Sequence, residues 1–264
     1  MTVRLATPPR ASTMFVEASS QSMQWVDDAL YPDSDIDFTL EFWLLNRTAV
    51  NAFEPFASKG SDDPTTGWYA FWEASGFTTP TLQFDDARSA PNGIPSVSQN
   101  VWFYIAWVHS AAANTVQGYY ATAGGPLLTG TLTSSIAGPT GNTENLRLGG
   151  QVFGSFCNNN FAMARYWNRA LTRGELADRY RRRYLPGDVP KDCTFYYDPG
   201  QDFYKNLALN GGRASTGTFG TIDHFRAPSR EHFDFRTRAL PEIWQQVGGV
   251  DYKRRYSLTL TGVG

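Results

Sequence analysis

The sequence predicts an all-β fold: a sandwich of two antiparallel sheets with one short helix and an extended C-terminal arm. Two observations carry this. Short runs of aromatic and β-branched residues recur at near-regular spacing, punctuated by turn signals such as Gly124-Gly125, Gly138-Pro139 and Gly149-Gly150. Aromatics make up 15% and hydrophobic residues 41% of the 264 residues, against 18% charged. That balance suits broad sheets packed face to face and argues against a disordered body.

Arg10 to Gln24 reads as a lead-in and first strand, with Met14-Phe15-Val16 at its apolar centre. Tyr31 to Asp37 is a loop feeding a strand over Phe38–Leu45. Phe38, Leu40, Phe42 and Leu44 share one face of that strand, and Thr39, Glu41, Trp43 and Leu45 the other. Both faces are substantially apolar, the pattern of a central strand covered on both sides. Val101 to His109 repeats it. Trp68–Glu73, Thr81–Phe84, Gln117–Ala121, Leu127–Leu132 and Leu146–Leu148 supply further strands. The helix opens at a T-x-x-E capping box, Thr172 with Glu175, and spans Arg173 to about Tyr184 before Pro186-Gly187.

After Asp198-Pro199-Gly200 clean alternation is lost until Tyr256–Thr261, while 223–238 mixes aromatics and arginines. The expected division is a sandwich domain over 1–198 and an extension or assembly arm over 199–264.

Net charge is −2, too small to point to nucleic acid as a partner. The charge is uneven, with carboxylates prevailing before residue 100 and arginines after 165, a pattern that suits either head-to-tail contact between copies or two solvated faces. Cys157 and Cys193 admit either one bridge or two unbridged thiols, the second reading being favoured. No apolar run in Met1 to Ser20 has signal-peptide form, and no segment is long enough to span a bilayer.

Several phrases resemble, in order, the laminin-G-like branch of the concanavalin A-like jelly-roll lectins. They are Phe38-Thr39-Leu40-Glu41-Phe42-Trp43-Leu44, Ser58-Lys59-Gly60, Gly67-Trp68-Tyr69 and Trp102 to Val108. Leu146-Arg147-Leu148-Gly149-Gly150 and Arg165-Tyr166-Trp167-Asn168-Arg169-Ala170-Leu171 complete the series. The resemblance runs from about Ser12 to Tyr184. It implies a jelly-roll topology, a short helix after the last phrase, and a family that mostly binds or builds surfaces, with some glycan-cleaving members. Where relatives often carry Asp-Glu before the last phrase, this chain has Ala162-Met163, which weakens any transfer of family metal or ligand contacts.

Glycan cleavage requires two carboxyl groups about 5–5.5 Å apart for retention or about 6.5–9.5 Å for inversion. No Glu-x-Asp run supplies them here, since Glu41 is flanked at i±2 by Thr39 and Trp43. Asp33, Asp35 and Asp37 form an oxygen-rich loop that could take calcium, although Phe38 and Leu44 occupy the EF-hand Gly and Glu positions. Solvated turn aspartates are the favoured reading, and no other cofactor is indicated. His109, His224 and His232 lack ligand spacing. Trp68, Tyr69, Trp72, Trp102 and Trp107 read chiefly as core, with sugar stacking the alternative. Arg181, Arg182, Arg183, Arg226, Arg230, Arg236 and Arg238 are candidate partner-binding residues.

These readings lead to a non-enzymatic structural or adhesion protein, a virion surface or decoration protein assembled in a host cytoplasm. Its expected partners are copies of itself, other structural proteins and surface glycans. The alternative is an extracellular carbohydrate-binding module, and the third reading a glycan hydrolase.

Overall fold

The computed structural model describes residues 11–15, 20–31, 34–47, 54–60, 66–73, 79–85, 87–89, 94–150, 156–180, 189–199, 206–208 and 224–226. In chain order the first strands are β1 (Ala11–Met14), β2 (Met23–Trp25), β3 (Phe38–Asn46), β4 (Glu54–Gly60), β5 (Gly67–Trp72), β6 (Pro80–Phe84) and β7 (Ala87–Ser89). There follow β8 (Trp102–Ser110), β9 (Thr115–Thr122), β10 (Leu128–Ser134), β11 (Leu146–Leu148), β12 (Asn159–Trp167), helix α1 (Arg173–Arg179), β13 (Cys193–Tyr197) and β14 (His224–Arg226).

The larger sheet runs β10-β9-β8-β3-β12-β1-β14, and β13 also pairs with β12; the smaller runs β2-β11-β4-β5-β6-β7. All these pairings are antiparallel. The predicted all-β, jelly-roll sandwich of two antiparallel sheets with one short helix is the fold observed.

Why β3 and β8 are central follows from their two apolar faces. Phe38, Leu40, Phe42 and Leu44 of β3 join Phe103, Ile105 and Trp107 of β8 in the core between the sheets, where Trp25, Phe56, Trp68, Trp72 and Phe84 of the smaller sheet meet them. The opposite faces contribute Trp43, Trp102, Tyr104, Ala106 and Val108 to a second, outer core. Helix α1 caps that outer core through Leu176 and Tyr180. Its first turn is held by Thr172, whose Oγ1 accepts from the Glu175 amide, while the Glu175 carboxylate accepts from the Thr172 amide. The described helix closes at Tyr180; residues 181–188 lie outside the described residues.

Several strands, among them β4, β7, β12 and β13, were not read from the pattern. β4 contains Pro55, which is tolerated because the ladder to β5 shifts register between Pro55 and Ala57. β13, Cys-Thr-Phe-Tyr-Tyr, is too short for a period and gains its place by pairing with the second half of β12. β14 falls in the stretch expected to be an arm and pairs with β1. The expected strand at 256–261 lies outside the described residues. At the β4–β5 turn, Gly67 has φ +88°, and a Cβ there would lie 2.0 Å from the Lys59 carbonyl oxygen. Only glycine fits both demands.

Candidate functional site

Glu41 is the carboxylate that β3 projects from the larger sheet toward α1, and it is fully buried. Arg165 lies beside it on β12, because Arg165 and Glu41 are register partners. The guanidinium Nη2 donates to Glu41 Oε1 at 2.7 Å, as does Tyr104 Oη from β8 at 2.7 Å, and Trp167 Nε1 donates to Oε2. Arg165 Nη2 also donates to the Arg179 carbonyl at 3.0 Å, tying the ion pair to the helix end. The Arg179 guanidinium in turn lies 4.7 Å over the Trp167 ring. Burial, reinforced by the Glu41 charge, pushes the Tyr104 phenol well above its ordinary range. Both Glu41 oxygens accept from donors inside an apolar shell. The arrangement ties the helix end to the sheet around a fully buried carboxylate.

The loop aspartates are used in a similar way. Asp35 Oδ1 accepts from the Gly138 amide at 2.9 Å and stands 3.7 Å from His109 Nε2. Asp37 Oδ1 accepts from the Ala111 amide at 2.9 Å, and Asp85 takes both the amide and hydroxyl of Thr140. Asp33 lies outside the described residues. Among the described residues no three His, Cys, Asp or Glu side chains are placed to share a metal ion.

A cation is nevertheless present as a side chain. Lys59 Nζ, fully buried, sits 2.8 Å from Asp27 Oδ1, 3.1 Å from the Glu144 carbonyl, and 3.3 and 3.5 Å from the carbonyl and side-chain oxygens of Asn142. The Ser58-Lys59-Gly60 phrase thus binds the 138–145 loop to β4. His109 is likewise structural: its Nδ1 lies 2.8 Å from the Ile36 carbonyl, and its ring lies against Phe38 and Phe84.

The five aromatics weighed for sugar stacking, Trp68, Tyr69, Trp72, Trp102 and Trp107, are all buried. Tyr120, by contrast, is only partly buried. At the β8–β9 end of the larger sheet, Phe103 and Tyr120 stack at 6.3 Å between centroids and 28° between planes. Both line a groove of about 180 Å³, together with Pro95, Val97, Leu128, Ser96, Ser98 and Thr122. This is below the ~300–1,000 Å³ of pockets for drug-sized ligands and matches a single ring-sized group. Sequence reasoning missed it because Tyr120 sits in an unremarkable strand. One signal was there to find. From Ser110 to Thr143 the chain holds no Asp, Glu, Lys, Arg or His, yet this stretch builds the β9–β10 hairpin, whose second strand is largely exposed.

The arginines near α1 are largely matched within the chain. Arg169 binds Glu175 and Asp192, and Arg179 binds Glu175 at 3.0 Å. Arg169 holds the Glu175 carboxyl well below the usual carboxylate range. Arg181, Arg182, Arg183, Arg230, Arg236 and Arg238 lie outside the described residues, as does the side chain of Arg226. Cys157 and Cys193 are buried thiols not joined to each other, and burial raises the Cys193 thiol well above its ordinary value.

No protein-family model matches the chain, and no curated protein does. Solved structures do. A candidate carbohydrate-binding protein from Bacteroides ovatus superposes with a TM-score of 0.61 at 13% identity, over 84% of this chain and 61% of its own. A native heptameric SAP-like pentraxin from Limulus polyphemus gives 0.52 at 9% identity, covering 86% of this chain and 98% of its own. Full-length tailspike protein 2 of an Escherichia coli O157:H7 bacteriophage gives 0.51 at 14% identity, over 75% and 30%. The chain therefore spans about three fifths of the first of these and under a third of the tailspike. At such identities the likeness is one of fold, a jelly-roll sandwich of two antiparallel sheets.

Proposed function

We propose that this chain is a non-enzymatic adhesion and structural protein of the laminin-G-like type. In this reading it is carried on a virion and engages surface glycans through the Phe103–Tyr120 groove. The observation that carries the non-enzymatic part is the state of Glu41. The strand carboxylate best placed by sequence to act on a glycan is buried, paired with Arg165 and covered by α1. The groove supports glycan contact chemically, offering a half-buried tyrosine ring and neutral hydroxyls to a ring with one apolar face and several hydroxyls. The fold's occurrence in a candidate carbohydrate-binding protein and in a phage tailspike supports the same reading. No helix among the described residues is long and apolar enough to cross a membrane.

The test is retention of the full chain on immobilised neutral glycans, with release of reducing ends assayed in parallel. Tyr120→Ala should weaken retention about tenfold, equivalent to ~1.4 kcal/mol. Reducing ends released by the wild type and lost on substituting a single carboxylate would make the chain a hydrolase and overturn the proposal. The virion assignment is checked by density-gradient fractionation of source material, where salt-resistant co-sedimentation with large particles is expected. A secreted carbohydrate-binding module would instead run as a small soluble species and still bind glycan.

A further inference from the structure

The Phe103–Tyr120 groove continues the core between the sheets outward to the surface. Phe103 on β8 is the register partner of Thr122 on β9, and Tyr120 on β9 is the partner of Leu128 on β10. Tyr120 and Thr122 lie two residues apart and so share one face of β9. That face is the core face, because Phe103 belongs to the main apolar cluster and Tyr120 packs against it. Exposure rises strand by strand across it, from Phe103 at 2% through half-buried Tyr120 to Leu128 at 44%. The segment before β8 lines the same groove, and its Val97 is buried within the same cluster. A hydrogen bond of 2.9 Å between Ser96 Oγ and Thr79 Oγ1 ties that segment to the residue preceding β6.

Burial sorts the lining by chemistry. Among the described residues the buried ones, Phe103 and Val97, are apolar, while Ser96, Ser98 and Thr122, which carry the hydroxyls, are exposed. A ligand group that reaches Phe103 and Val97 therefore meets carbon, whereas one beside the hydroxyls keeps polar partners or water. A hexose carries a hydroxyl on its exocyclic carbon as well as around its ring. Set against the buried residues, that exocyclic hydroxyl would lose its hydration without compensation. A deoxyhexose whose exocyclic carbon is a methyl has no such penalty there and gains from burying the methyl. We propose that the groove takes the terminal deoxyhexose of a glycan, its methyl against Phe103 and Val97 and its ring hydroxyls toward Ser96, Ser98 and Thr122. The volume of about 180 Å³ suits one ring rather than an extended chain. The proposal rests on the glycan-binding reading above and names the sugar class.

The experiment is retention of the full chain on beads bearing matched sugar pairs, each deoxyhexose beside its parent hexose. The galactose, glucose and mannose configurations of both hands make up the set. Within a pair the ring centres are identical and one hydroxyl differs, a difference that an apolar pocket resolves by up to about 100-fold. Free methyl glycosides of the retained pair, competed against the deoxyhexose beads, should differ at least about tenfold in the concentration that releases half the chain. Val97→Thr adds a hydroxyl among the buried lining residues with little change of shape, so it should abolish or reverse that preference. Thermal melting checks the folding of the variant, and the comparison between sugars on the wild type stands whatever the variant's stability. Equal release by the two glycosides, or preference for the parent hexose, overturns the proposal and leaves the glycan reading standing. Retention that survives Tyr120→Ala puts the sugar elsewhere and overturns it as well. No retention on any sugar of the set overturns both readings.

Discussion

Removing the Arg165 guanidinium should destabilise the chain by about 3–5 kcal/mol, the range for leaving one member of a buried ion pair uncompensated. Arg165→Met keeps the length and apolar body of the side chain, so the loss is one of charge and hydrogen bonds rather than of packing. Glu41 would keep its bonds from Tyr104 and Trp167 but lose its only ion-pair partner among the described residues, and the Arg179 carbonyl would lose a donor. For a chain of this size each kcal/mol moves the midpoint by roughly 2–4 °C, so a fall of about 6–20 °C is expected. Glu41→Leu combined with Arg165→Met removes both charges at once. Its remaining cost is the two stranded donors, Tyr104 Oη and Trp167 Nε1, each about 1–3 kcal/mol in isolation but free to repack. The double variant should therefore be more stable than Arg165→Met by at least about 1 kcal/mol. Urea unfolding followed by tryptophan fluorescence measures both. A single variant costing under about 1 kcal/mol, or a double variant costing the sum of the two singles, would refute the assignment of Glu41 as a neutralised structural carboxylate.

Three other outcomes follow from local geometry. Lys59→Met should cost about 2–4 kcal/mol in urea unfolding, because the carbonyls of Asn142 and Glu144 lose a fully buried donor; partial exposure of Asp27 keeps the figure below that for Arg165. Tyr166→Phe should be neutral or stabilising by about 1 kcal/mol, since the buried Tyr166 Oη has no hydrogen-bond partner among the described residues and burial holds the phenol protonated. Glu175 is held below the usual carboxylate range by Arg169, so its contribution is present above the unfolded value near pH ~4.3 and is lost as pH falls toward the folded value. Acid titration of wild type against Glu175→Gln should show a steeper loss of stability below about pH 4.3 in the wild type, and equal slopes would exclude the linkage.

Alternation was enough to locate β3 and β8 and to place both at the centre of a sheet, because a strand apolar on both faces has nowhere else to go. The capping box likewise located the start of α1, since Thr172 and Glu175 satisfy each other's backbone within four residues. These are local constraints, and a local constraint can be read in a string. Aromatic residues inside the patterned strands β5 and β8 were equally legible as core, and Trp68, Trp72 and Trp107 are fully buried.

What only the tertiary structure decided are the meetings of residues far apart in the chain. Glu41 looked like a lone strand carboxylate; register with β12 set Arg165 opposite it, and β8 brought Tyr104. Asp35 and Asp37 admitted two readings, solvated turn acids or calcium ligands, whereas folding turned each toward a backbone donor, at 138 and 111. β4 and β13 carried no period of their own and exist through their neighbours. The sequence by itself determined which residues must leave water. Partner, register and remaining exposure depend on which strand lies alongside, because hydrogen bonds and ion pairs are short-ranged while the contacts that create them here span more than a hundred residues.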